Sequence, residues 1–379
     1  MRVGVPTEIK IAERRVGLTP TSVRELTMRG HRVSVQAGAG TGIGASDADY
    51  STAGARVAPD AKTVFDESEL IVKVKEPQAA ERAMLGPEHV LFTYLHLAPD
   101  PAQTEELLAS GATCIAYETV TDAQGGLPLL APMSQVAGRM SIQAGAHCLE
   151  APNGGSGRLL GGVPGVAPAR TLVLGGGVVG ENAIEMAIGM GSEVTVLDRN
   201  LDVLNRLSRR FGNALVTLYS TGAALEEQVL AADLVIGAVL IKGATAPKLV
   251  GPELVKRMKP GSVLVDVAID QGGCFATSRP TTHTEPTYVI DDVVHYCVAN
   301  MPGAVPQTST HALNNATLPF TLALADKGLE CALLDDEHLL NGLNIHRGLL
   351  TEQHVAQAQG LEYTNPLTAL SPTLPASTR

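Results

Sequence analysis

The chain has 379 residues, too many for one ordinary core, so two domains are expected. Apolar residues make up 45% and charged residues 18%, the balance of a folded, soluble protein rather than a disordered one. A net charge of −11 argues against sequence-independent nucleic-acid binding, which needs many Lys and Arg facing phosphates.

The first third alternates short β-branched runs with helical patterns. RVGVP (2–6), HRVSVQAG (31–38), LIVKVKEP (70–77), VLFTYLH (90–96) and TCIAYETV (113–120) read as strands. The opening MRVGVPTEIK is a strand and turn, not a signal peptide. Between the strands, PTSVRELTMRG (20–30) and PAQTEELLASG (101–111) have helical periodicity and close on Gly, a usual helix stop. This β-α-β-α rhythm predicts a mostly parallel sheet with helices on its faces.

PMSQVAGRMSIQAGAHCLEA (132–151) reads as a long helix, and PNGGSGRLLGGVPGVAP (152–168) as a mobile surface loop, long for a compact domain. The rhythm then returns, with strands at TLVLG (171–175), EVTVLD (193–198), ALVTLYS (214–220), DLVIGAV (233–239), SVLVDVAID (262–270) and HYCVAN (295–300). Helices should fill 178–190, 201–211 and 223–231. After residue 300 the pattern turns helical, in HALNNATLPFTLALADKG and again in DDEHLLNGLNIHRG. The end, TNPLTALSPTLPASTR, is rich in Pro, Ser and Thr and is expected to be poorly ordered. Long helices after 130 and after 305 mark two crossings between domains. Residues 1–129 and 305–379 are therefore grouped in one domain, and 130–304 in the other.

The longer apolar runs are broken by charges, such as Asp233 in VLAADLVIGAVLIKG, so no transmembrane helix is expected. The cysteines are Cys114, Cys148, Cys274, Cys297 and Cys331, an odd number without a CxxC pair. Free thiols in a reducing compartment follow, each expected as a small buried hydrophobe. A cytoplasmic protein is inferred.

The stretch TLVLGGGVVGENAIEMAIGMGSEVTVLDRN (171–200) contains GxGxxG at 175–180. Alone the motif is weak, but here it follows an apolar strand, opens a helix, and precedes an acidic residue, Asp198, by about twenty positions. Gly175 allows the tight turn, Gly177 lets a pyrophosphate approach the backbone, and Gly180 lets the helix lie close to the strand. The helix N-terminus offers N–H groups and a positive dipole end to the phosphates. Asp198 can accept hydrogen bonds from ribose hydroxyls and would repel a 2′-phosphate, which favours NAD over NADP, although Arg199 stands beside it. The fold class expected is α/β: two Rossmann-like domains with mostly parallel sheets, joined by long helices around an interdomain cleft.

Polar residues stand where a core would not choose them. Arg15 lies in the loop EIKIAERRVGLTP, Lys75 ends LIVKVK, His96 ends VLFTYLH, and Asp270 ends SVLVDVAID. In open parallel sheets, ligands collect at the carboxyl ends of strands. Arg15 and Lys75 suit a small carboxylate, as a bidentate fork and a point charge. An imidazole at His96 can move protons near neutral pH. Singly, each of these is more often a solvated residue than a functional one.

At these positions the sequence resembles bacterial L-alanine dehydrogenases, of the family that also includes the NAD-binding part of proton-translocating transhydrogenase. The likeness spans about residues 1–365 and rests on GVPTEIK, KVKEP (73–77), TYLHLA (93–98), MSQVAGR (133–139), GGVPGV (161–166), GGGVVG, VDVAIDQGG (265–273) and HYCVANMPGAVPQTSTHAL (295–313). It implies reversible NAD-dependent oxidation of L-alanine to pyruvate and ammonia in a homohexamer. It implies that Arg15 and Lys75 hold the substrate carboxylate and carbonyl, that His96 is the general acid/base, and that Asp270 helps orient water and the amine. It places Ser134, Val178, Val179, Asp198, Ser220, Val239, Leu240, Val267, Asp270, Asn300 and Met301 around NAD, beside the glycines, with Met133 and Met301 near the nicotinamide.

Some positions depart from the family pattern. Ile11-Ala12 replaces a segment that usually carries Asn, and Val203 and Gln307 stand where basic residues are common. Some members bind magnesium through a Glu and a His near 323–327; Ala323 and Lys327 imply no metal here. Other readings are an NAD-binding component of a transhydrogenase, a catalytically silent NAD-binding protein, and a dehydrogenase of a different amino acid.

Overall fold

The computed structural model describes residues 1–239 and 246–371. The chain divides into two compact units, Met1–Pro132 with Val305–Arg379, and Met133–Ala304. The strands in chain order are β1 (Arg2–Val5), β2 (Arg32–Gln36), β3 (Arg56–Ala58), β4 (Leu70–Val72), β5 (Val90–Thr93), β6 (Thr113–Ala116), β7 (Arg170–Leu174), β8 (Glu193–Asp198), β9 (Leu215–Tyr219), β10 (Leu234–Gly237), β11 (Val263–Asp266), β12 (Thr287–Ile290), β13 (Val293–Tyr296), β14 (Leu343–His346) and β15 (Leu349–Leu350).

In the first unit the order is β15-β14-β6-β5-β4-β1-β2-β3. From β3 to β6 every pairing is parallel. All residues of LIV (β4) and TCIA (β6) are buried, as strands covered on both faces must be. The helix Pro20–Met28 starts where its sequence says, with Thr19 accepting from the Ser22 N–H and Pro at its first position. Asp100 and Pro101 start Pro101–Ser110 in the same way, and Gly111 in the left-handed region ends it.

Two segments of this unit differ from expectation. DDEHLLNGLNIHRG is not helical throughout: its fully buried LNIH is strand β14, antiparallel to β6. Arg347 and Gly348, both at positive φ, then turn the chain tightly into antiparallel β15. In the terminal segment, Pro366–Leu370 forms a helix capped by Asn365, with Leu370 buried; residues 372–379 lie outside the described residues.

In the second unit the order is β12-β13-β11-β10-β7-β8-β9, with only β12 antiparallel to its neighbour. Val173 packs on one face with Ile184 and Ala187, and Leu172 and Leu174 pack on the other with Val229 and Val255. The strand period of two thus serves two apolar layers. The segment 152–168, expected as a mobile loop, is tied to its unit. Ser156 and Gly157 donate to Gly261 and Leu149, Ala169 donates to Leu160, and Val163 and Val166 form a bridge. Four cysteines are buried as expected; Cys331 is exposed, in the first turn of the short helix Leu329–Asp335. Among the described residues no helix is long and apolar enough to cross a membrane.

Candidate active site and dinucleotide turn

Both sheets contain the doubly wound order in which the third, second, first, fourth and fifth strands of the unit lie side by side, followed by the sixth in the first unit and by the seventh, β13, in the second. Such sheets bind ligands beyond the carboxyl ends of the two strands where the winding reverses. Those strands are β7 and β10 in the second unit, and β1 and β4 in the first.

Gly175 follows β7 directly, at φ +95°. A Cβ at Gly180 would lie 1.8 Å from the Gly175 carbonyl oxygen, so only glycine allows the helix Val178–Gly189 this close to the strand. Gly177, the N-cap, is the opposite case: nothing lies within 4 Å of its missing Cβ, and no side chain caps the helix there. The space and the helix N-terminus stand where a phosphate would be received. Asp198 ends β8, where its Oδ2 accepts the Gly176 N–H at 2.7 Å and its Oδ1 accepts the Asn200 N–H at 2.8 Å. A carboxylate has about four acceptor sites, so ribose hydroxyls can add to this pattern. Arg206 donates to the Gly176 carbonyl at 3.0 Å and pairs with Glu181. Ser220 donates its backbone N–H to Asp198 at 3.0 Å, and Val239 would contact a Cβ at Gly175.

In the first unit the expected residues lie beyond the strand ends rather than on them. β4 stops at Val72 and β5 at Thr93, so Lys75 and His96 each sit three residues further on. Glu8, just after β1, accepts the Val74 N–H at 2.6 Å and the Lys75 N–H at 3.4 Å, which stitches the two switch-point strands together. His96 adopts φ +51°, an unfavourable region for a residue with a Cβ. Glu118 holds it there by accepting the backbone N–H groups of Leu95 and His96 at 3.0 and 2.6 Å. The half-exposed imidazole stacks on Tyr94 with ring centroids 5.7 Å apart, and its Nδ1 lies 3.6 Å from Oε2 of Glu76. Lys10 pairs with the other oxygen of Glu76. Burial works to raise the Glu76 pKa, but the His96 ring, Lys75 and Lys10 hold its carboxyl well below the usual carboxylate range.

Arg15 is buried, and its fork grips Glu13: Nε donates to Oε1 at 2.7 Å and Nη2 to Oε2 at 2.5 Å. Tyr94 and Glu8 are within its electrostatic reach. The loop carrying it abuts β4 so closely that a Cβ at Gly17 would be 2.3 Å from the Val72 carbonyl oxygen.

The remaining expected residues are all in the second unit. Asp270 is exposed, on the short turn Val267–Gln271 after β11 rather than on the strand. Val267 begins that turn. Ser134 and buried Met133 lie in the first turn of Ala131–Cys148. Asn300, at φ +59°, accepts from the His283 ring at 3.2 Å through its carbonyl, and Met301 is buried beside it. Leu240 lies outside the described residues.

The N-terminal domain description of the family "Alanine dehydrogenase/PNT" matches residues 4–137, and the C-terminal domain description matches residues 141–353. The chain belongs to this family. It is 63% identical to an alanine dehydrogenase of Halomonas elongata over 96% of this chain and 98% of that one. A solved L-alanine dehydrogenase superposes with a TM-score of 0.92 at 52% identity, covering 95% of this chain and 99% of that chain. A transhydrogenase of Sinorhizobium meliloti shares the fold, with a TM-score of 0.79 at 24% identity over 93% and 99% of the two chains.

Against the family pattern, the departures acquire local explanations. Ala12 stands at φ +61°, where Asn is favoured over Ala. Val203 fills space against Gly176 rather than reaching out as a basic residue would. Gln307 is exposed at the start of the helix Pro306–Lys327.

Several partners escaped the sequence reading. Glu76 was visible within KVKEP, where only Lys75 was singled out. Glu13, two residues before Arg15, carried no signal of its own. Lys73 is fully buried, with Glu81 at 2.6 Å and Glu8 at 3.1 Å from its ammonium. A strand-end Lys is usually solvated, and only two fold-brought carboxylates make its burial tolerable.

Proposed function

We propose that the chain is an NAD-dependent L-alanine dehydrogenase, catalysing reversible oxidative deamination of L-alanine to pyruvate and ammonia. The observation that carries this reading is the gathering of Arg15, Lys75 and His96 around the β1–β4 switch point, through Glu8 and Tyr94. Simple burial of apolar surface would not assemble two cations and an imidazole there.

On this reading Met1–Pro132 with Val305–Arg379 is the substrate and catalytic unit, and Met133–Ala304 binds NAD. The turn at 175–180 fits a dinucleotide, with open space at Gly177, a helix start without a side-chain cap, and an acidic residue at the end of β8. Asp198 would take the ribose, Gly177, Val178 and Val179 the pyrophosphate region, and Ser134, Ser220, Val239, Val267, Asn300 and Met301 the rest. Bound NAD supplies the two-electron acceptor for the α-hydrogen of alanine.

The chain's own residues supply binding, charge and protons. Arg15 binds the substrate carboxylate, with Glu13 fixing the plane of its fork. The Lys75 ammonium opposes the charge that develops on the carbonyl oxygen. His96 gives and takes the proton of that oxygen. Asp270 orients water and the amine, which must be neutral for the α-hydrogen to leave with its electron pair. The enzyme works in the cytoplasm as a homohexamer, without nucleic-acid or membrane partners.

The test is a substrate screen of the purified protein with NAD and NADP against each small amino acid. Alanine-dependent formation of NADH, with other amino acids and NADP slower, is expected. NAD binding without turnover of any amino acid would overturn the reading in favour of a silent binding protein. Turnover confined to another amino acid would overturn the choice of substrate.

A further inference from the structure

We propose that Glu76 is the positioning residue for His96. Its Oε2 accepts the Nδ1–H of the neutral ring, which leaves Nε2 as the nitrogen that exchanges protons with the substrate. The proposal rests on His96 being the acid/base.

Both ends of the Glu76 carboxylate are accounted for differently. Oε1 is paired with Lys10. Oε2 is buried and has no hydrogen-bond partner, although the imidazole Nδ1 lies only 3.6 Å away. A buried carboxylate oxygen without a donor is costly, and a small turn of the ring about its Cβ–Cγ bond would supply one. The two residues are otherwise well fixed. Glu76 precedes Pro77, which restricts its backbone to extended conformations, and its carbonyl accepts from the Gln78 amide at 3.0 Å. The His96 backbone is held by Glu118, and its ring plane lies at 29° to that of Tyr94. The remaining freedom of the imidazole is therefore its tautomer and a limited rotation, and Glu76 is the charged group placed to set both. A carboxylate behind an imidazole is a general means of fixing which nitrogen carries the proton.

The test is nitrogen-15 NMR of histidine-labelled protein without ligands at about pH 9, where an ordinary imidazole is neutral. Loss of the resonances in His96→Asn assigns them. The wild-type ring is expected as the Nδ1–H tautomer; a ring protonated on Nε2 overturns the proposal without any further variant. In Glu76→Leu the Nε2–H form should take over, and kcat should fall about 10- to 100-fold, a fraction of what acid–base catalysis contributes, with the NAD Michaelis constant unchanged. Glu76→Gln, whose amide oxygen can still accept, should keep the wild-type tautomer and most of the turnover. An unchanged tautomer in Glu76→Leu refutes the positioning role. Full turnover in His96→Asn would instead remove the acid/base reading of His96, an outcome that the tautomer measurement does not depend on.

Discussion

The Gly176 N–H is held by Oδ2 of Asp198 at 2.7 Å, so the residue proposed to meet a ribose also braces the glycine turn. Asp198→Ala should therefore lose more than ribose contacts. NAD affinity should fall about 10- to 100-fold, the worth of one or two charge-assisted hydrogen bonds, and discrimination against NADP should relax. Titration of both coenzymes into wild type and variant measures this. An unchanged preference would mean that Asp198 only braces the turn.

Gly177 and Gly180 make opposite predictions. Alanine at 180 puts a Cβ 1.8 Å from the Gly175 carbonyl, whereas alanine at 177 meets nothing within 4 Å. Gly177→Ala should keep its stability within about 0.5 kcal/mol yet bind NAD more weakly, because the added carbon stands in the phosphate's approach. Gly180→Ala should lose stability and coenzyme binding together. Thermal melts beside NAD titrations separate the two.

His96→Ala should lower turnover by about 100-fold or more, the usual scale of acid–base loss, while NAD still binds. His96→Asn should behave alike with less disturbance of the backbone, since Asn tolerates the positive φ found here. Near-normal turnover in both would exclude the imidazole from the chemistry.

Arg15→Ala should raise the Michaelis constant for pyruvate about 10- to 100-fold. It also strands the buried Glu13 carboxylate, and breaking such a pair typically costs about 3–5 kcal/mol. The double variant Glu13→Gln/Arg15→Met should recover much of that stability without recovering the Michaelis constant. Recovery of both would make the pair a structural one.

Among the thiols, Cys331 alone is exposed. Burial pushes Cys114 and Cys274 up to about 12 and Cys148 to about 11, so thiolate is scarce there at neutral pH. An aromatic disulfide reagent should find one fast-reacting thiol in the native protein and five after denaturation. Cys331→Ser should abolish the fast phase. A fast phase that survives this change would show that a second thiol is accessible.

Much of this was legible because it is periodic. Strands such as EVTVLD and TLVLG, and the glycine turn between them, announce themselves through β-branched runs and fixed spacing. What escaped was short or non-local. RVA (β3) spans three residues, TYVI (β12) is a half-exposed edge strand, and LNIH looks helical until β6 is beside it. The same holds for the site. Lys75 and His96 were found from strand ends, though they stand past them. Glu13, Lys73, Glu76 and Glu118 acquire their tasks only from partners that the fold delivers, and no spacing rule encodes a buried ion pair.

The shared winding of the two sheets has a chemical corollary. Topology offers each half an equivalent berth, yet the residues that follow the first strand differ. In one half Gly175 opens onto a bare helix start. In the other, Pro6 has no amide hydrogen to give and acidic Glu8 is turned inward, which makes a poor welcome for a diphosphate. On the proposed assignment of the two units, a handful of side chains steers two copies of one architectural plan to separate duties, and coenzyme and amino acid would not compete for the same cradle.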